Sequence, residues 1–365
     1  MNYKCEIIAD SISLQGDRLT TYKVTYPRII HAEMLRHRML SRNVASSRAI
    51  PFKKMVKDVQ ENPFIPIAWQ KDHKGMQGTE YHTEKGNIIF NISAWLVARD
   101  EAVRVAKNLA ESDVTKQLCN RLLEPFVWTT ELISGTEWEN FFELRCPKYD
   151  WNGIIQKSKR DWITANDRAY DSKFELNVPN SDIDWLSINK SGAEIHIQKI
   201  AEMMWDAMNE STPKQLSSGE WHIPMGDRID EHKTEQLTSF KDKKNIPMED
   251  VDDFFNEMDS VKLKICTARA ARISYETLGD NPKIDYEADI KLHDRLMEMK
   301  HWSPFEHCAR AMSNAEYYSF IKGVVKTKVA NSFGEIRSHT IDAKSNVFGW
   351  CNNFKGFIQY RHLVE

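Results

Sequence analysis

From Arg18 to Arg48 the chain passes from a strand pattern to a helical one and then into a loop crowded with cations. Tyr22, Val24 and Tyr26 alternate with Thr21, Lys23 and Thr25, the two-residue period of a strand with one apolar face. Pro27 suits the first turn of a helix, and Ile30, Met34 and His37 recur at helical spacing. Residues 36–48 then read Arg-His-Arg-Met-Leu-Ser-Arg-Asn-Val-Ala-Ser-Ser-Arg, near a helix C-terminus and entering a polar loop. Arg supplies a planar fork of donors and Ser a short adaptable one, so the run is a ready cradle for phosphate or another polyanion. A stretch rich in Arg and Ser is often only a solvated face. Here the fixed spacing of the residues argues for a site.

Composition narrows what such a cradle would hold. A net charge of −3 over 365 residues gives no global basic footprint, so a nucleic-acid polymer is not the expected partner and small anions are. With 41% hydrophobic residues the chain can bury a sizeable core. Its cysteines (Cys5, Cys119, Cys146, Cys266, Cys308, Cys351) are scattered without a CxxC pair, and no apolar leader opens the sequence. The expectation is reduced thiols and a cytoplasmic protein, in the host cytoplasm if phage-encoded. No apolar run approaches the roughly 20 residues that span a bilayer, so no membrane role is expected.

Further helices are expected near 100–119, with Ala102, Val105, Ala106 and Leu109 on one stripe, and over 193–209, with Ile197, Ile200, Ala201, Met204, Trp205 and Met208 buried. Ser134-Gly-Thr-Glu has the form of a capping box, which predicts a helix from Ser134 through Phe141 and Leu144. Asp285 caps another over 285–300, carrying Ile290, Leu292 and Leu296. Residues 222–262 are charge-dense and interrupted by Pro224, Gly226 and Pro247, as in a connector with one short helix. Residues 146–191 are polar and irregular, which predicts a surface excursion rather than core.

The run at 36–48 resembles the signature of the flavin-dependent thymidylate synthases (ThyX), Arg-His-Arg-x-x-Ser-x-Asn-Glu-x-Ser-x-Arg-Tyr. It matches at Arg36, His37, Arg38, Ser41, Asn43, Ser46 and Arg48 and departs at Val44 and Ala49. Ala268–Tyr275 (Ala-Arg-Ala-Ala-Arg-Ile-Ser-Tyr) and 301–307 (His-Trp-Ser-Pro-Phe-Glu-His) resemble segments that precede the signature in that family, whereas here they follow it. Residues 110–145 resemble a later region, through Arg121-Leu-Leu-Glu-Pro and Asn140-Phe-Phe-Glu-Leu-Arg145. The resemblance thus implies a circularly permuted, phage-type member with an α+β fold of mixed helix and sheet. Its parts would be a signature and substrate half over 1–221, the charged connector 222–262 and a flavin-binding half over 263–365, together one composite catalytic domain. Permutation is physically reasonable because chain termini often lie close together at the surface. Residues 311–348 match nothing in that family, and the closing run Gly349–Arg361 resembles the ends of similar permuted chains without suggesting a role.

The resemblance also implies a chemistry: transfer of a one-carbon unit from methylene-tetrahydrofolate to C5 of dUMP and its reduction by FAD hydride, NADPH reducing the flavin. It assigns FAD binding to Arg36, His37, Arg38, Asn43, Asn140, Ser274, His301, Ser303 and Glu306. It assigns the nucleotide to Glu33, Ser46, Arg48, Arg121 and Arg145, with Arg121 reaching the phosphate from a neighbouring subunit of a homotetramer. Arg145 and Ser46 are the candidate catalytic residues, since an arginine beside the pyrimidine carbonyls can stabilise charge as C5 becomes nucleophilic. No cysteine nucleophile is needed, and Cys146 reads as structural. His301, His307 and Glu306 lack the spacing and the fourth ligand of a zinc site, so no metal is expected.

Glu33 stands where the family usually has Gln, and Val44 where it has Glu. These departures leave open methylation or hydroxymethylation of another pyrimidine nucleotide such as dCMP. A non-catalytic subunit that binds flavin or nucleotide is the alternative from another class.

Overall fold

The computed structural model describes residues 2–75, 78–169, 178–179, 181–240, 250–275, 285–317 and 354–365. Its first stretch holds β1 (Lys4–Ile12), β2 (Arg18–Pro27), α1 (His31–Met34), β3 (Ser41–Val44), α2 (Phe52–Glu61), α3 (Lys85–Glu111), α4 (Lys116–Arg121), β4 (Trp128–Gly135) and α5 (Glu139–Arg145). Next come β5 (Tyr149–Trp151), β6 (Ile154–Gln156), α6 (Lys159–Ala169), α7 (Asp182–Ile188), α8 (Ile195–Glu210), β7 (Lys214–Gln215), β8 (Trp221–His222) and α9 (Glu231–Glu235). The last are α10 (Val251–Arg272), α11 (Tyr286–Glu298), β9 (Ala309–Ala311), β10 (Phe357–Gln359) and α12 (Tyr360–Val364). Helix and sheet are mixed, as in an α+β chain.

One sheet has the order β3-β4-β2-β1-β7, antiparallel except where β7 joins β1. A second, three-stranded sheet runs β10-β9-β8. The period read in β2 holds: Tyr22, Val24 and Tyr26 are fully buried with Ile133 of β4 against Ile197, Ile200, Ala201 and Met204 of α8 and Phe141 and Phe142 of α5. Each such side chain contributes about 1.5–3 kcal/mol through burial. On the other face Ile8 and Leu132 pack against Met225 and the end of α10, at Ala270 and Ile273. Covering both faces makes β2 a central strand, so Thr21 and Thr25 are buried too.

Sequence boundaries shift where a polar side chain has a better use. Ser134 does not cap a helix; it lies in β4, paired across to Thr21 and Ser41, with its hydroxyl engaged inside the sheet. The following helix begins at Glu139, after Trp138 ties its indole N–H to the Gly135 carbonyl at 2.7 Å. The helix expected at 100–119 is instead two. α3 ends by Ser112, Asp113 takes a left-handed φ of 61°, and Thr115 caps α4 through its hydroxyl and the Gln117 N–H. The α8 and α11 expectations hold, with Glu194 capping the first helix and Asp285 accepting from the Ala288 N–H at 2.9 Å in the second.

The described parts of the excursion at 146–191 are more ordered than its composition suggests. Asn152 and Gly153, both at positive φ, turn β5 into β6, and Tyr149, Trp162 and Trp185 form a small aromatic core of their own. Within 222–262, α10 begins at Val251 and runs unbroken past residue 262, with acids in its first turn and Arg269 and Arg272 in its last, as the helix dipole favours. Cys351, the start of the closing run and all of 311–348 beyond Tyr317 lie outside the described residues.

Candidate functional site

The chain leaves α1 through a loose turn, with the Arg36 N–H donating to the Glu33 carbonyl at 3.3 Å and that of His37 to Met34 at 3.4 Å. This turn projects the arginines of the triplet outward and folds the histidine inward. Arg36 and Arg38 are exposed, and among the described residues neither has an acidic partner. His37 packs edge-on against Phe141, with ring centroids 4.9 Å apart, and its Nε2 accepts from Arg145 Nε at 3.0 Å. Burial, then the cations of Arg145 and Arg42, push its pKa down to about 4. The triplet therefore offers two charges and one neutral imidazole at pH 7.

Arg145 ends α5 and is itself half-buried. Burial foremost, then Arg36, weaken its hold on its proton, and Glu33 opposes them. Glu33 thus acts electrostatically on Arg145 together with Arg36, yet its Oε2 is buried with no hydrogen-bond partner among the described residues.

A second group gathers on β3. Asn43 is buried; its Oδ1 accepts from Ser303 Oγ at 2.8 Å and its Nδ2 donates to the Ala270 carbonyl at 3.0 Å. The Ser46 N–H donates to the Ser274 carbonyl at 3.0 Å. Segments far apart in sequence therefore meet on a four-residue edge strand and the residues just after it. Ser303 opens a 3-10 turn, Ser303–Glu306, whose Phe305 is anchored against α10 and α12. Glu306 is paired with Arg361 at 2.6 Å, a guanidinium that it shares with Glu365 at 2.8 Å.

Further along, Arg48 Nε donates to Gln117 Oε1 at 3.1 Å, and Arg121 lies one turn beyond Gln117 on α4. The Lys116 ammonium donates to the Ala49 carbonyl at 3.1 Å. This is a separate basic group. Arg38, Arg121, Asn140 and His301 are exposed, and no side-chain hydrogen bond among the described residues joins them to the others. His301 is placed by backbone alone. α11 stops at Met299, Lys300 takes a left-handed φ of 57°, and the His301 N–H closes back on the Leu296 carbonyl at 2.9 Å.

Sequence reasoning passed over two supports of this site. Glu131 is completely buried on β4, where it accepts from the Tyr26 hydroxyl in a short bond and from Arg42 Nη1 at 3.3 Å. Arg42 also donates to the His37 carbonyl at 3.3 Å, while Tyr26 meets His31 Nδ1 at 2.8 Å. Burial foremost, then Arg28 and Arg42, lower the pKa of His31 to about 4. The second support is Gln359, whose Nε2 donates to Ser41 Oγ at 2.9 Å and to the Glu306 carbonyl at 3.3 Å. Its position in the closing run gave no signal, because a single glutamine carries none.

Another polar chain lies inside the fold, running from Ser11 through His222, Thr21 and Ser134 to His307, each link 2.6–2.9 Å. Burial pushes both imidazoles down to about 3. Cys146 is fully buried, and burial raises its thiol well above the ordinary range, as befits a packing residue. Among the described residues no group of three or more His, Cys, Asp or Glu is placed to hold a metal ion. No helix among them is long and apolar enough to cross a membrane.

No family model matches the chain, and no curated protein does. Among solved structures it is similar to a UMP/dUMP methylase, PolB from Streptomyces cacaoi, bound with 5-Br UMP, at a TM-score of 0.40 and 13% identity over 57% of this chain and 89% of that one. The same methylase bound with 5-Br dUMP gives 0.34 and 12%, over 46% and 88%.

Proposed function

We propose that the chain is a flavin-dependent enzyme that methylates a pyrimidine nucleotide at C5, dUMP being the substrate the signature implies, with methylene-tetrahydrofolate as carbon donor and NADPH as reductant. The observation that carries this reading is the meeting on β3. Asn43 and Ser46 of the Arg-His-Arg segment touch Ser303 and Ser274, the very segments that resemble the flavin-binding half. Contact between the signature and both of those segments is what one shared site would require. The reversed order of those motifs supports a permuted arrangement in which 222–262 joins the two halves.

The donor types fit FAD. Arg36 and Arg38 are exposed cations without an acidic partner among the described residues, suited to a diphosphate, while Asn43, Ser274 and Ser303 form a second polar group and Glu306 shares Arg361 with Glu365. When bound, the flavin would supply the hydride. His37 stays neutral and lends orientation through Arg145, whose guanidinium can stabilise negative charge developing on the pyrimidine. Arg48 and Arg121 are suited to the nucleotide phosphate. A homotetramer is consistent with the exposed Ile89, Phe90 and Val97 of α3, which a subunit contact would cover.

The test is direct. Protein reconstituted with FAD should show a bound-flavin spectrum, and with methylene-tetrahydrofolate and NADPH it should release tritium from C5 of labelled dUMP or dCMP. Flavin that washes away completely, or absence of tritium release from either nucleotide, would overturn the reading.

A further inference from the structure

We infer that Glu33 sets the base specificity of this site and turns it toward the amino edge of a cytosine nucleotide. The inference rests on the pyrimidine-nucleotide reading above and names its substrate class. Three observations carry it. Glu33 Oε2 is a buried acceptor with no hydrogen-bond partner among the described residues. No side-chain bond to Arg36 or Arg145 satisfies it, although both share its surroundings. Arg145, a donor only, is held in place through His37.

An acceptor without a partner, within electrostatic reach of a donor held in place, calls for a ligand edge with the opposite order. An ionised carboxylate accepts only, and a guanidinium donates only. Cytosine presents a donor at the exocyclic N4 amino group and acceptors at N3 and O2, which complement Glu33 and Arg145 in turn. Uracil presents O4 where cytosine has the amino group, so a carboxylate aimed there faces another acceptor. An amide at the same position could turn its NH₂ toward O4 and would accept uracil. The identity of residue 33 is therefore sufficient to invert the preference, and an acidic side chain accepting from cytosine N4 is an established base-reading contact.

Titration calorimetry with dCMP and with dUMP, in the presence of FAD, tests the assignment on the full chain. Wild-type protein should bind dCMP about ten- to a hundredfold more tightly than dUMP, the discrimination of one good base contact. Glu33→Gln should reverse the order, and Glu33→Asp, with a shorter reach, should weaken it. Tighter binding of dUMP by the wild type, or a ratio unchanged in Glu33→Gln, overturns the role of Glu33 while leaving a nucleotide site in place. Binding of neither nucleotide by folded, flavin-loaded protein overturns the nucleotide reading and this inference together. If the variants fail to fold, the wild-type ratio alone decides.

Discussion

Asn43 is the residue whose loss most cleanly reports on the convergence at β3. Asn43→Ala removes two hydrogen bonds, one from Ser303 Oγ at 2.8 Å and one to the Ala270 carbonyl at 3.0 Å. The Ala270 carbonyl keeps the Ile273 N–H at the end of α10, and Ser303 is exposed enough to turn to water, so neither group is stranded. The cost is then the net worth of two neutral bonds, about 1 kcal/mol each and about 2 kcal/mol together. Ser303→Ala removes only the first and should cost about 1 kcal/mol. If Asn43 and Ser303 meet as described, the double variant should cost about 1 kcal/mol less than the sum of the singles, because the shared bond is lost only once. Urea unfolding followed by tryptophan fluorescence measures all three. Flavin titration of the same proteins should show Asn43→Ala weakening cofactor binding, since it frees Ser303 from β3. Strictly additive single and double variants would refute the contact, and with it the observation on which the functional reading stands.

Other outcomes follow from the same geometry. Arg36→Ala or Arg38→Ala should lower flavin affinity about ten- to a hundredfold, as loss of a charge-assisted contact worth about 1.5–3 kcal/mol requires, read by quenching of flavin fluorescence. Arg145→Ala should cut turnover by about a hundredfold in folded, flavin-loaded protein; it also removes a cation from beside His37, so the His37 pKa should rise from about 4 toward 6.5 in an NMR titration. His222 and His307 titrate near 3 in the fold and near 6.5 when unfolded, so the unfolded chain takes up protons first as pH falls. Stability should therefore climb with pH between about 3 and 6.5, by at most about 1.4 kcal/mol per pH unit for each histidine. Urea midpoints at pH 7, 6 and 5 check this, and His222→Gln should flatten the trend.

What the sequence made legible was whatever repeats or recurs at fixed spacing. The two-residue period marked β2, the 3.6-residue period marked α8, and Asp285 marked the start of α11. The family-like segments likewise singled out Asn43, Ser46, Ser274 and Ser303, and the fold pairs Asn43 with Ser303 and Ser46 with Ser274. What stayed hidden depends on partners distant in sequence. Ser134 has the local form of a helix cap, but Thr21 and His307 claim its hydroxyl inside the sheet, and tertiary bonding outweighs local preference. Glu131 reads as the one charged residue of its strand, because nothing nearby announces Arg42 or Tyr26. The neutrality of His37 owes most to burial, in which Phe141 takes part, and then to Arg145, both about a hundred residues downstream, with Arg42 as the nearer contributor.

The bond from Gln359 to Ser41 and Glu306 has a consequence for the order in which the molecule is made. Ser41 leaves the ribosome early and Gln359 some three hundred residues later, at synthesis rates of roughly 5–20 residues per second, so the two are separated by tens of seconds. Once β4 has followed, roughly ninety residues after Ser41, β3 can pair with it, while until residue 303 is made the side that receives Ser303 and Gln359 has no counterpart. A nascent chain would thus own a sheet long before it owned a site. Growth interrupted before residue 303 would leave stable secondary structure with an open strand edge, the condition in which chains pair with one another instead of with themselves.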